Sequence, residues 1–199
     1  MGIRIIAAVA ATLAMLCGTL AHADDHAENR AKNRAAPASD APTVLITGAN
    51  RGLGLEFARQ YAADGWKVIG TARTPERADA LNALSVEVLQ LDVASQASVD
   101  ALAESLDGRP IDLLINNAGI FPRHNKIEAI NFDDYSRTLA VNTLGPVRVT
   151  RALLPNLRLG EKKQIVNITS GLGSIGLNNS GAYYGYRESK AALNMFTRT

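Results

Sequence analysis

Val44-Leu45-Ile46-Thr47-Gly48-Ala49-Asn50-Arg51-Gly52-Leu53-Gly54 joins three structural signals without a break. Val44–Ile46 is a short aliphatic run of the kind that forms a strand buried on both faces. The glycines at 48, 52 and 54 then mark a sharp turn, and Leu55, Ala58, Tyr61 and Ala62 fall on one face of a helix that follows. Strand, glycine turn and helix in that order aim backbone N–H groups and a helix N-terminus at one point, where a diphosphate can dock. Glycine serves such a turn because the backbone must bend tightly and approach the ligand closely. Without a ligand the same residues make only a glycine-rich turn.

Downstream, the pattern repeats. Asp64-Gly65 ends the helix, and Trp66–Thr71 reads as a second strand, running into Thr71-Ala72-Arg73. A carboxylate at that strand end would bind the adenosine ribose hydroxyls of NAD; here there is none. Arg73 and Arg51 instead put cations where a ribose 2′-phosphate would lie, which favours NADP(H) over NAD(H), unless both are ordinary surface arginines. Glu76–Leu84 reads as a helix, Val86–Val93 as a third strand containing Asp92, and Ser95 as the N-cap of a helix reaching Leu106. Gly108-Arg109-Pro110 breaks the chain before a fourth strand, Ile111–Ile115, which delivers Asn116-Asn117-Ala118-Gly119. Phe132–Leu157 is a long amphipathic helical stretch with a kink expected at Pro146; Asn142, in its middle, belongs by default on a solvated face. Gln164–Ile168 is the fifth strand. It ends at Thr169-Ser170, and a loop rich in Gly, Ser and Asn, Gly171–Gly181, leads to a last helix ending at Thr199.

Alternating strands and helices over this length imply an α/β fold with a doubly wound parallel sheet. Ligands of such sheets bind beyond the carboxyl ends of the strands. The Gly48–Gly54 turn, Asp92, Asn116–Gly119 and Ser170 all follow strands and therefore converge on one rim. The last helix adds Tyr186 and Lys190, four residues apart and so on one helix face. A phenol beside an ammonium can donate a proton near neutral pH, and a hydroxyl such as Ser170 can polarise a carbonyl held against both.

The chain has 199 residues, 47% of them hydrophobic, which is enough for one buried core. Its net charge is +2 with both signs interspersed, and no basic block with aromatics marks a nucleic-acid surface. The single cysteine, Cys17, excludes an internal disulfide. Residues 1–23 read as a secretory signal peptide: Arg4 gives a positive start, Ile5–Leu20 an apolar run, and Ala21-His22-Ala23 the cleavage site. That implies export to the periplasm or beyond, no membrane association after cleavage, and a cytoplasmic protein if the signal is not used. Residues 24–42 read as a flexible linker and 43–199 as the folded domain. His22 and His26 fit a cleavage boundary, His124 a loop, and no metal site is expected.

On Thr47–Gly54, Asp92, Asn116–Gly119, Asn142, Ser170, Tyr186 and Lys190, the chain from Thr43 to Thr199 resembles the short-chain dehydrogenase/reductase family. The strings around Asn142 and Tyr186 look most like its carbonyl-reductase branch with C-factor-like proteins. The resemblance implies a Rossmann-type fold. It makes Tyr186 the general acid, Lys190 the group that holds the nicotinamide ribose and lowers the phenol's pKa, Ser170 the carbonyl's hydrogen-bond donor, and Asn142 the support of a relay water. Gly48, Asn50, Arg51, Gly52, Leu53, Gly54, Arg73, Asp92, Val93, Asn117, Ala118 and Gly119, with Tyr186 and Lys190, would bind the dinucleotide. A small carbonyl or alcohol would be the substrate, and a homo-oligomer is expected by analogy.

Two departures matter. Ser170 and Tyr186 are further apart than is usual in the family, but only Tyr186 has a lysine four residues on; beyond Tyr183 stands Arg187. The chain also lacks the family's last strands, so the fifth strand is expected to be a bare sheet edge. A reductase and a non-catalytic dinucleotide-binding or signalling protein both remain open on these residues; an inactive fragment of a longer reductase is a third reading.

Overall fold

The computed structural model of the protein describes residues 4–9, as backbone, and residues 40–199. The predicted cleavage site, Cys17, His22 and His26 lie outside the described residues, as does most of the predicted linker. Six parallel strands form one sheet among the described residues: β1 (Arg4–Val9), β2 (Thr43–Ile46), β3 (Lys67–Ala72), β4 (Glu87–Gln90), β5 (Leu113–Asn116) and β6 (Gln164–Thr169). Their spatial order is β1-β6-β5-β2-β3-β4. The order reverses direction at β2, so the crevice above β2 and β5 is the switch point where such sheets bind ligands.

Helices α1 (Gly52–Ala63), α2 (Asp79–Asn82), α3 (Gln96–Ser105), α4 (Phe132–Leu139), α5 (Gly145–Ala152), α6 (Leu154–Leu159) and α7 (Tyr186–Arg198) connect or follow the strands. Period-2 alternation splits the core. Leu45, Ile69, Leu114 and Ile165 pack with Val99, Leu102, Val149 and Leu153 on one face. Val44, Ile46, Val68 and Ile115 pack with Ala58 and Leu81 on the other. Both faces are covered, which is why the central strands read as unbroken aliphatic runs.

The structure corrects three sequence expectations. The helix over Glu76–Leu84 is a single 3₁₀ turn, Pro75–Arg77, followed by the short α2. The stretch Phe132–Leu157 is not one helix: a π-helical turn, Ala140–Leu144, separates α4 from α5, and α6 begins after a break at Leu153. Pro146 sits in the first turn of α5, where its missing N–H costs no hydrogen bond, so it starts a helix rather than kinking one. The third correction concerns the sheet edge. β6 is not bare, because β1 pairs with it in parallel from Arg4↔Gln164 to Val9↔Thr169. The strand beside β6 thus comes from the segment that reads as a signal peptide.

Candidate active site

Thr47 and Asn117 build the floor of the crevice. The Thr47 hydroxyl accepts from the N–H groups of Asn117 and Ala118, each at 3.0 Å. The Asn117 amide donates back to the Thr47 and Gly48 carbonyls at 2.9 and 3.1 Å. These bonds tie the turn after β2 to the turn after β5. The tie leaves no room at Gly54: a Cβ there would lie 2.4 Å from the Gly48 carbonyl oxygen and 2.5 Å from the Asn117 amide nitrogen. Gly54 therefore serves the turn's geometry, and it does not line the cleft itself.

The cleft has a volume of about 610 Å³. Gly48, Asn50, Arg51, Gly52, Leu53, Arg73, Asp92, Val93, Asn117, Ala118 and Gly119, residues that the resemblance assigns to a dinucleotide, all line it. Thr74, Arg77, Ile120, Arg137 and Val141 line it too and were missed. Arg77 was missed because the expected helix over Glu76–Leu84 hid the 3₁₀ turn that holds it at the cleft. Arg51, Arg73 and Arg77 are exposed at the rim and make no ion pair with a described residue. Asp92 spends one carboxylate oxygen on the Ala94 N–H at 3.0 Å, closing the turn after β4.

Asn142 is fully buried, not solvated, because the π-helical turn directs it inward. Its amide oxygen accepts from the Ile120 N–H at 2.9 Å, and its amide nitrogen donates to the Ile120 carbonyl at 2.9 Å and to the Ser189 hydroxyl at 3.0 Å. The side chain thus locks the loop after β5 onto α7, with both amide hydrogens spent. Sequence reasoning had no signal for Ser189 or Ile120 as its partners.

Tyr186 opens α7 and Lys190 stands one turn on. Lys190 is 5% exposed; its ammonium donates to the Ile168 carbonyl at 2.8 Å and lies 5.8 Å from the centre of the Tyr186 ring. Burial pushes its pKa down to about 8. Burial also raises the Tyr186 phenol, and the neighbouring Ser170 hydroxyl pulls it the other way by hydrogen bonding. This corrects the expectation that Lys190 lowers the phenol's pKa: here the lysine is turned to a backbone carbonyl, and desolvation dominates both groups. Phe121 stacks at a tilt on Tyr186, with ring centres 4.3 Å apart, and forms an apolar wall beside the phenol. The structure therefore brings Ser170 and Tyr186 together and places Lys190 and Asn142 beneath them, next to the Gly119 end of the cleft. An ideal Cβ on Gly119 would stand 3.4 Å from the Asn142 amide oxygen and 3.8 Å from the Lys190 nitrogen. Among the described residues no three His, Cys, Asp or Glu gather as metal ligands, and no helix is long and apolar enough to cross a membrane.

The chain is similar to known proteins. The C-signal of Myxococcus xanthus is 43% identical over 99 residues, which cover 50% of this chain and 60% of that protein. A 1-hydroxy-2-glutathionyl-2-methyl-3-butene dehydrogenase of Rhodococcus sp. (strain AD45) is 39% identical over 155 residues, covering 77% of this chain and 67% of the relative. The NADPH-bound carbonyl reductase from chicken fatty liver has a solved structure that matches with a TM-score of 0.71 at 36% identity, over 79% of this chain and 72% of that one. The chain spans roughly half to two thirds of the length of the curated relatives it matches. The family model for short chain dehydrogenases matches residues 42–199, taking in β2 to β6, the cleft and α7, and the chain belongs to the short-chain dehydrogenase/reductase family.

Proposed function

We propose that the protein is an NADP(H)-dependent oxidoreductase that reduces a small carbonyl to an alcohol, or runs the reverse reaction, with Ser170, Tyr186, Lys190 and Asn142 as its working residues. The observation that carries this reading is the buried Lys190 nitrogen, 5.8 Å from the centre of the Tyr186 ring and 3.8 Å from where a Cβ on the cleft-lining Gly119 would stand. The cleft fits such a cofactor: a Cβ at Gly48, which lines it in a left-handed conformation, would crowd the Ala118 backbone at 3.0 Å, and Arg51, Arg73 and Arg77 line the cleft as well. A bound nicotinamide dinucleotide supplies or accepts hydride. Tyr186 delivers a proton to the carbonyl oxygen and Ser170 donates a hydrogen bond to it, which stabilises the charge that develops there. Lys190 keeps positive charge beneath the phenol. Asn142 holds the floor of the site and supports a water that relays protons to Lys190.

The NADPH-bound carbonyl reductase from chicken supports the phosphorylated cofactor, as do Arg51, Arg73 and Arg77. Replacing Arg73 with alanine should weaken NADPH binding by roughly tenfold or more, the worth of one lost hydrogen bond to a charged group, and leave NADH binding unchanged. Fluorescence titration of both cofactors checks this, and equal binding of the two by the unaltered protein would reject the preference.

The test of the function is carbonyl-dependent NADPH consumption across a panel of aldehydes and ketones, with Tyr186→Phe alongside. Turnover that vanishes in the phenylalanine variant is the expected result. A folded protein that binds NADPH but turns over nothing on the panel would favour the binding or signalling reading, for which the similarity to the C-signal stands.

A further inference from the structure

The loop that enters α7 holds an unusual backbone. Gly181, Ala182 and Tyr183 are consecutive left-handed residues, with φ of 63°, 60° and 57°, and Gly185 follows at 81°. Glycine adopts this region freely, but alanine and tyrosine do so at a cost of roughly 1–2 kcal/mol each. Something must hold them there. A left-handed run turns neighbouring carbonyls toward one side, and the Arg187 guanidinium meets them. Its Nε donates to the Gly181 and Ala182 carbonyls, both at 3.0 Å, and one Nη donates to the Ser180 hydroxyl at 3.2 Å. Its other Nη donates to the Leu172 carbonyl at 3.4 Å, and the guanidinium lies 5.7 Å from the centre of the Tyr183 ring. Leu172 belongs to the turn that Ser170 caps, its own N–H donating to the Ser170 hydroxyl at 3.2 Å. One planar fork therefore fastens the segment before Tyr186 to the turn after Ser170.

We propose that Arg187 is a positioning residue for carbonyl reduction, setting the separation of the Ser170 and Tyr186 hydroxyls by clamping the long loop between them. The inference rests on the roles proposed above for those two hydroxyls. Both must reach one carbonyl oxygen, and a displacement near 1 Å is enough to cost ~10²-fold in rate. The arginine falls four residues after Tyr183, where a lysine would have made Tyr183 the acid. Its use here is to secure the extended loop. Lysine cannot replace it, because a single ammonium lacks the fork that reaches several acceptors at once.

The experiment compares the full chain with Arg187→Ala, Arg187→Lys and Tyr186→Phe in the NADPH-consumption assay. Arg187→Ala and Arg187→Lys are both expected to lower kcat by about 10–100-fold. NADPH affinity should stay within twofold of the parent, and guanidinium ion at a non-denaturing concentration should restore part of the alanine variant's kcat but none of the phenylalanine variant's. A general unfolding of the domain would also lose NADPH binding and would not respond to guanidinium; that result overturns the proposal. Parental kcat in either arginine variant, while Tyr186→Phe is dead, overturns it as well and leaves the site assignment intact. Full turnover in Tyr186→Phe would instead remove the assignment on which the proposal rests.

Discussion

Replacing Lys190 with methionine is expected to lower turnover by ~10³-fold or more while making the protein more stable at neutral pH. Methionine fills similar space and removes the ammonium of a residue that is 5% exposed. The pKa of this group falls from 10.5 in the unfolded chain to about 8 in the fold because burial disfavours its charge. Folding therefore works against Lys190 wherever both states are protonated, which is below pH 8. Between pH 8 and 10.5 the folded protein releases the proton and the unfolded chain keeps it, so the penalty fades, and above 10.5 it is gone. At about 1.4 kcal/mol for each pH unit between the two values, the penalty amounts to roughly 3 kcal/mol. The variant gives some of this back by leaving the Ile168 carbonyl without its lysine donor, and a net gain of about 1–2 kcal/mol below pH 8 is expected. Urea denaturation of both proteins at pH 7 and at pH 10 decides the matter. The variant's advantage should shrink or reverse at the higher pH; an equal difference at both would show that the lysine's charge carries no burial cost. The same titration predicts that kcat/KM for reduction by the unaltered protein falls as pH rises through about 8, where Lys190 loses its charge in the free protein.

The legible parts of the molecule were those set by short sequence neighbourhoods. Val44–Gly54 announced strand, turn and helix because each signal is local, and the rim followed from topology alone. Tyr186 and Lys190 were legible because a helix fixes their spacing. Asn142 became a candidate only through resemblance, and its surroundings were misjudged: burial depends on a π-helical turn and on Ile120 and Ser189, which no periodicity connects to it. Arg187 was noticed only for standing where a lysine would have competed. Its function depends on the carbonyls of Leu172, Gly181 and Ala182, whose directions come from backbone angles that sequence does not encode in any simple pattern. The phenol's pKa was misjudged because helical spacing places Tyr186 near Lys190 but says nothing of desolvation.

β1 was the least legible element, and it yields the second large effect. Residues 1–23 read as a signal peptide because a positive start, an apolar run and Ala21-His22-Ala23 occur in order. The structure uses part of the same run, Arg4–Val9, as a strand on β6. One molecule cannot do both: cut after Ala23, it has lost β1. A chain beginning at Asp24 is expected to be less stable than the full chain by at least a few kcal/mol, at ~1 kcal/mol for each backbone hydrogen bond returned to water. It should also self-associate, because the exposed β6 edge would present unpaired N–H and C=O groups to a second copy. Turnover should fall with stability, since α7, which carries Tyr186 and Lys190, packs against both β1 and β6. Urea midpoints and sedimentation velocity on residues 1–199, 10–199 and 24–199 separate the contributions. Loss of stability already complete in 10–199 would assign it to β1. Equal midpoints for all three would show that β6 needs no neighbour from this segment, and the leader would then be free to act as an export signal alone.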